Sequence, residues 1–252
     1  MIEDGTVTSE EARVRMKYGF WLRLAGGILK PILNVFTRHQ WLGRENIPKT
    51  GPLIFAVNHI SHADPLTVAH FVYNLPRPPR FLAKDSLFST PGIKWVLRGA
   101  RQIPVYRGTK DASTSLKAAR EALGQGEAVI IYPEGTTTKD PQLWPMVPKT
   151  GIARLAMETK APVIPVAQWG AQKLFDAQSR KLTLRLRTPV TLLAGPPVDL
   201  SAFDGKPLTS ETLRAVADTV MDRVRAQLAE IRGETPPAEF YAQPRARRQE
   251  VL

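Results

Sequence analysis

Pro52-Leu53-Ile54-Phe55-Ala56-Val57-Asn58-His59-Ile60-Ser61-His62-Ala63-Asp64-Pro65-Leu66-Thr67-Val68 contains the transition on which the fold turns. Its first six residues are almost wholly apolar, as in a strand buried on both faces, and Pro65 opens a helix-like pattern. A strand that passes through a polar loop into a helix is the working unit of α/β folds, which place their sites at the carboxyl ends of strands. This loop carries His59 and, five residues later, Asp64. An imidazole accepts a proton efficiently when a fixed carboxylate keeps its other nitrogen protonated. The pair reads as a general base with its orienting acid.

Two plainer readings compete. A His-Asp pair in a loop also serves as a cap or an ordinary ion pair, and His59-x-x-His62-x-Asp64 offers three metal-ligand types close together. The chain has four histidines (His39, His59, His62, His70) and no cysteine, so ligands for a dinuclear centre are scarce. No metal and no resident cofactor are expected. The lack of cysteine also excludes disulfides and an acyl-cysteine intermediate, and fits a reducing compartment.

The alternation continues outward. Helix-like stretches are expected near Pro65 to Tyr73, Pro91 to Leu97, Asp111 or Ser113 to Leu123, and Thr150 to Thr159. Strands are expected at Trp41-Leu42, Arg80 to Ala83, Gln102 to Val105, Glu127 to Tyr132 and Pro162 to Ala167, with a more exposed one in Leu182 to Leu193. Leu213, Val216, Val220, Val224, Leu228 and Ile231 recur at helical spacing and predict a long amphipathic helix. The pattern predicts an α/β fold, a mostly parallel mixed sheet covered by helices. Pro236-Pro237 and Arg245-Ala246-Arg247-Arg248 mark residues 233–252 as a mobile or loosely packed tail.

A second polar loop, Tyr132-Pro133-Glu134-Gly135-Thr136-Thr137-Thr138, closes the Glu127 strand as the His59 loop closes the first. Glu134 offers an acceptor, Gly135 close backbone approach, and Thr136 a hydroxyl and a backbone N–H. Taken alone, this run is an ordinary turn. Arg107 ends the short Gln102 strand and suits bidentate contact with a phosphate, although it is also one more base in a basic segment. Lys149-Thr150-Gly151 precedes a helix N-terminus that suits an anion. It is no Walker loop, and no Gly-x-Ser-x-Gly elbow makes Ser61 a nucleophile.

Among 252 residues there are 35 Lys and Arg against 23 Asp and Glu, a formal charge of +12. Such a surplus calls for an anionic partner. Between Arg77 and Lys110 eight bases face one acid, Asp85, with apolar residues interleaved. No nucleic-acid-binding signature is present. From Tyr18 to Phe36 the chain is apolar and aromatic but interrupted by Arg23, Lys30, Gly26-Gly27 and Pro31, a poor membrane span. Two amphipathic pieces, broken near Gly26-Gly27 and Pro31, suit the membrane interface better, with a pair of core helices as the alternative. Thr8 to Glu11 resembles a capping box ahead of them. The acidic start, Met1 to Thr8, predicts no cleavable signal peptide.

Together these pieces resemble the glycerolipid acyltransferase family, which includes 1-acylglycerol-3-phosphate acyltransferases. Asn58-His59 through Asp64 matches its His-x4-Asp block, Ile103 to Arg107 its second block, Tyr132 to Thr136 its Pro-Glu-Gly-Thr block, and Val163 to Ala167 its apolar proline block. The resemblance covers roughly residues 35–195 and implies the glycerol-3-phosphate acyltransferase-like fold behind N-terminal amphipathic helices. It implies membrane-interface helices in 1–37 and an acyltransferase domain in 38–232. It implies transfer of a fatty acyl group from an acyl thioester to a hydroxyl of glycerol phosphate or lysophosphatidic acid. His59 and Asp64 would be catalytic, with His62 a bystander, while Arg107, Glu134, Gly135, Thr136 and Lys149 would bind substrate. The implied partners are acyl-CoA or acyl carrier protein, a glycerol phosphate or lysophospholipid acceptor, and an anionic membrane surface. The implied location is the cytoplasmic face of the membrane, peripheral or monotopic. A non-catalytic membrane-associated lipid-binding protein and an acyl thioesterase are the alternatives. The chain departs from the family at Thr137, where an arginine commonly stands.

Overall fold

The structure is a computed structural model that describes residues 18–75, 77–105, 112–183 and 185–242. The elements are α1 (Phe20–Phe36), β1 (Thr37–Leu42), β2 (Leu53–Val57), α2 (Asp64–Tyr73), β3 (Pro79–Lys84), α3 (Ile93–Gly99) and β4 (Ile103–Val105). They continue with α4 (Ala112–Gly124), β5 (Ala128–Ile131), α5 (Gly151–Thr159), β6 (Val163–Trp169), β7 (Thr188–Ala194) and α6 (Ser210–Arg232).

One seven-stranded sheet runs β1-β7-β6-β2-β5-β3-β4. Every pairing is parallel except β6 with β7, so β1 and β7 run against the other five strands. The fold is the expected α/β type. Apolar side chains on both faces of β2 and β5 explain their central position. Ile54, Ala56, Val129 and Ile131 face a core built with Ala119, Leu155, Val216 and Val220 of α4, α5 and α6. Leu53, Phe55, Val57 and Ile130 face a second core built with Val68, Phe71 and Val72 of α2. A strand with no polar side chain fits only where helices cover both of its faces.

The long helix forms as the spacing predicts. Thr209 accepts the Thr212 N–H at 3.1 Å, a side-chain N-cap, and the buried stripe Leu213, Val216, Val220, Val224 and Leu228 lies against the sheet. The exposed strand is shorter than expected. β7 begins only at Thr188, because Arg187 has a φ of +53°, which interrupts an extended run, and Leu182 pairs instead with Phe175 in an isolated bridge. Residues 234–242 pack back on the domain: Val147 N–H donates to Tyr241 O at 3.1 Å, and the Arg225 guanidinium lies 4.4 Å from the Phe240 ring centre. Residues 243–252 lie outside the described set.

The N-terminal segment also departs from expectation. The capping box at Thr8 to Glu11 lies outside the described residues, and Phe20–Phe36 is one unbroken helix with Pro31 inside it. Gly26 is a packing site here: a Cβ would come within 2.7 Å of the Tyr73 ring, so its absence lets α1 sit on α2. Gly99 does the same for α3, where a Cβ would meet the Trp21 indole at 2.0 Å. With α1 held on these two helices, its outer stripe of Phe20, Leu24, Ile28, Ile32 and Val35 stays exposed, as do Ile93 and Trp95 on α3. No helix among the described residues is long and apolar enough to cross a membrane.

Candidate active site

The His59 loop leaves the carboxyl end of β2. Its neighbour Asn58 is fully buried and exchanges three hydrogen bonds with Gln168 of β6, side chain to backbone in both directions. Buried amides require such partners, and this exchange fixes where the strand ends and the loop begins. Asp64, the first residue of α2, reaches back over the loop. Its Oδ2 accepts from Ile60 N–H at 2.6 Å, Ser61 N–H at 2.8 Å and His59 Nδ1 at 2.8 Å. Burial pushes the Asp64 carboxyl up, opposed by these hydrogen bonds and by attraction to the His59 imidazole. The carboxylate holds Nδ1 protonated and leaves Nε2 as the basic nitrogen. Asp64 is fully buried, whereas the His59 side chain keeps 15% of its surface exposed.

The second loop, after β5, clasps the first. Glu134 Oε1 accepts the backbone N–H of His59 at 2.8 Å, and Oε2 accepts that of Met146 at 3.0 Å. Thr138 N–H donates to the carbonyl of His59 at 2.7 Å. His59 is thus held from both sides of its backbone as well as by its ring. Burial pushes the Glu134 carboxyl up to about 8, against the pull of the two N–H donors. With both oxygens engaged inside the fold, Glu134 locks the loops together. Tyr132 contributes what sequence reasoning missed. Its ring stacks on the His59 imidazole, centroids 4.2 Å apart and planes 20° from parallel. Its buried hydroxyl and Asp64 Oδ1 both lack a hydrogen-bond partner among the described residues.

Gly135 has a φ of +73°, a conformation glycine adopts freely. The Lys149 side chain lies against it: a Cβ would stand 2.9 Å from Cε and 3.0 Å from Nζ. Lys149 N–H donates to Pro133 O at 2.8 Å, so the loop carries this exposed lysine to its own tip. Thr136 is half-buried beside it, whereas Thr137, at the family's arginine position, is buried. His62 is exposed, packs edge-on against Phe175, and is lowered below the usual histidine range by partial burial and by His59. Among the described residues, no group of three or more His, Asp or Glu could hold a metal ion. Arg107 lies outside the described residues, two positions beyond the end of β4.

A basic imidazole nitrogen at a strand end, backed by a buried carboxylate and braced by the Pro-Glu-Gly-Thr loop, is a proton-accepting centre. The family model described as Acyltransferase matches residues 38–169, from β1 to the end of β6. The chain belongs to the acyltransferase family. A 1-acyl-sn-glycerol-3-phosphate acyltransferase of Bacillus subtilis is 28% identical over 207 residues, 81% of this chain and 94% of that protein. A chloroplastic enzyme of the same name from Brassica napus is 30% identical over 139 residues, 54% of this chain but only 39% of the plant protein. The crystal structure of the 1-acyl-sn-glycerophosphate acyltransferase of Thermotoga maritima superposes with a TM-score of 0.66 at 26% identity. That likeness covers 92% of this acyltransferase and 86% of its counterpart.

Proposed function

We propose that this acyltransferase moves a fatty acyl group from a thioester, acyl-CoA or acyl carrier protein, to the free hydroxyl of a 1-acylglycerol 3-phosphate in phospholipid synthesis. The His59 and Asp64 pair carries the reading. Nε2 of His59 takes the proton of the acceptor hydroxyl as that oxygen attacks the thioester carbonyl carbon. Asp64 holds the ring and stabilises the imidazolium that forms. Collapse of the tetrahedral adduct breaks the C–S bond, and the thiolate leaves with the proton returned by His59. The products are an ester and a free thiol, and no bond to the enzyme forms.

Lys149, with Thr136 and the Gly135 backbone, faces the acceptor phosphate, and Arg107 adds a second cation. The exposed stripe of α1, with Ile93 and Trp95, suits docking in a membrane interface, where acceptor and product reside. The similarity to enzymes named for the lysophosphatidate reaction supports this acceptor. The test is thiol release from acyl-CoA and acyl carrier protein, with and without a panel of lysophospholipids, and with the lipid product weighed. Release that requires 1-acylglycerol 3-phosphate supports the reading. Release that ignores every acceptor makes the protein a thioesterase, and no release makes it a binding protein.

A further inference from the structure

A cavity of about 380 Å³ opens at the β1 edge of the sheet, away from the His59 loop. Its wall includes Lys30 of α1, Arg38 at the start of β1 and Arg187 just before β7, and no acidic residue lines it. Among the described residues none of these three cations takes part in an ion pair. The rest of the wall is polar, Asn34, Thr37 and Asn74, and aromatic. His39 stacks on Trp41 with centroids 4.2 Å apart, and His70 stands edge-on to both rings. His70 is only 6% exposed, and its Nε2 is buried without a partner among the described residues. A buried imidazole nitrogen costs free energy unless something bonds to it. Three cations lining one cavity with no acidic residue in its wall add mutual repulsion.

We propose that this cavity is a binding site for a phosphate group, presented by the headgroup of an anionic membrane lipid. A phosphate would pair with Lys30, Arg38 and Arg187 and supply the partner that His70 Nε2 lacks. The cavity lies behind α1: Lys30 is on the helix face opposite the exposed stripe that includes Ile28 and Ile32, so a helix with that stripe in the interface leaves the cavity at headgroup level. The site differs from the acceptor site, since β1 and β2 are separated by three strand spacings, roughly 14 Å. Both open toward the same end of the sheet: Thr37 pairs with Thr188, and β7 runs antiparallel to β6. An anchored lipid would therefore orient the His59 loop toward the membrane. The cavity's charge already marks the histidines. Burial, then His39, then Lys30 push His70 down to about 4, and burial followed by Lys30 lowers His39.

The lipid half of the proposal rests on the membrane-docking reading of α1; the phosphate half is independent of it and of turnover. The experiment therefore has two arms. Inorganic phosphate titrated into the isotope-labelled full chain should shift the His70 and His39 imidazole resonances saturably and raise the His70 titration midpoint by about one pH unit. Cosedimentation with phosphatidylcholine vesicles containing phosphatidylglycerol should weaken about 10²-fold in the triple variant K30Q/R38Q/R187Q. The equal-charge variant K117Q/K206Q/R223Q, on elements away from the cavity, should change binding by less than about threefold. Equal loss in both variants would mean diffuse charge attraction and overturn the site. A saturable shift with vesicle binding indifferent to the first triple would assign the cavity to a soluble phosphate compound and overturn the lipid. The absence of any shift with phosphate would overturn both.

Discussion

Glu134 accepts the backbone N–H of His59 at 2.8 Å, so the acid of the Pro-Glu-Gly-Thr loop holds the histidine by its main chain and not by its ring. The ring belongs to Asp64. Two carboxyl groups thus fix one residue in two ways, and their replacement should have different consequences.

Removal of the base is the first. General-base catalysis contributes about 10²- to 10⁴-fold, so His59→Ala should lower acyl transfer by that range with the circular dichroism spectrum unchanged. Asp64→Asn leaves the ring without its charged partner and should follow the same direction. Normal turnover by His59→Ala would end the assignment.

Glu134 should make stability depend on pH. Its folded pKa of about 8 lies above the ordinary value of 4.5, so the folded state binds its proton more tightly than the unfolded chain. That contribution is present in full below about pH 4.5 and is lost as pH rises through 8. Glu134→Gln cannot titrate. The Tm advantage of the native protein over this variant should shrink from pH 5 to pH 8, and a constant difference would show that Glu134 does not titrate in that window.

At Tyr132 the stack and the hydroxyl can be separated. Tyr132→Phe keeps the ring on His59 and removes a buried hydroxyl that has no partner among the described residues, so thermal melting should show stability equal or slightly raised. Tyr132→Ala opens a cavity beside the base and should cost about 3–5 kcal/mol. A phenylalanine variant as damaged as the alanine one would reveal a partner for the hydroxyl.

The contact between Gly99 and Trp21 should be intolerant of a single methyl. Gly99→Ala places a carbon 2.0 Å from the indole. The helices must part, at about 1–3 kcal/mol. Denaturant unfolding should detect the loss, and Trp21→Ala combined with Gly99→Ala should show less than the sum of the single losses.

Lys149 should matter to the acceptor and not to the donor. Lys149→Ala removes the cation at the tip of the Gly135 loop and should raise KM for 1-acylglycerol 3-phosphate about tenfold or more while sparing KM for acyl-CoA. Arg107→Ala should act in the same direction. Equal effects on both substrates would place the lysine elsewhere.

Much of this was legible in the chain because it is local. The runs Leu53 to Val57 and Ala128 to Ile131 contain nothing polar, and a strand without polar side chains has to be central, so the sheet and its helical cover follow. His59 and Asp64 are five residues apart across a strand-to-helix turn, close enough for the pairing to be inferred from spacing. The long helix was legible too, since its stripe repeats through six residues.

Other features depend on which surfaces meet. Gly26 and Pro31 read as breaks, yet α1 runs through both because Tyr73 and the other packing of α1 hold it. That Glu134 clasps the His59 backbone was not legible, because residue type says only that it accepts hydrogen bonds, not from which donor. The Tyr132 ring on His59 and the convergence of Lys30, Arg38, Arg187 and His70 join residues up to 157 positions apart, from 30 to 187. By itself, the sequence determined the α/β alternation and the pairing of His59 with Asp64, since periodicity and short spacing act over one turn or one strand. Only the tertiary structure decided what braces that base and what lines the cavity, since contacts between distant residues are settled by packing.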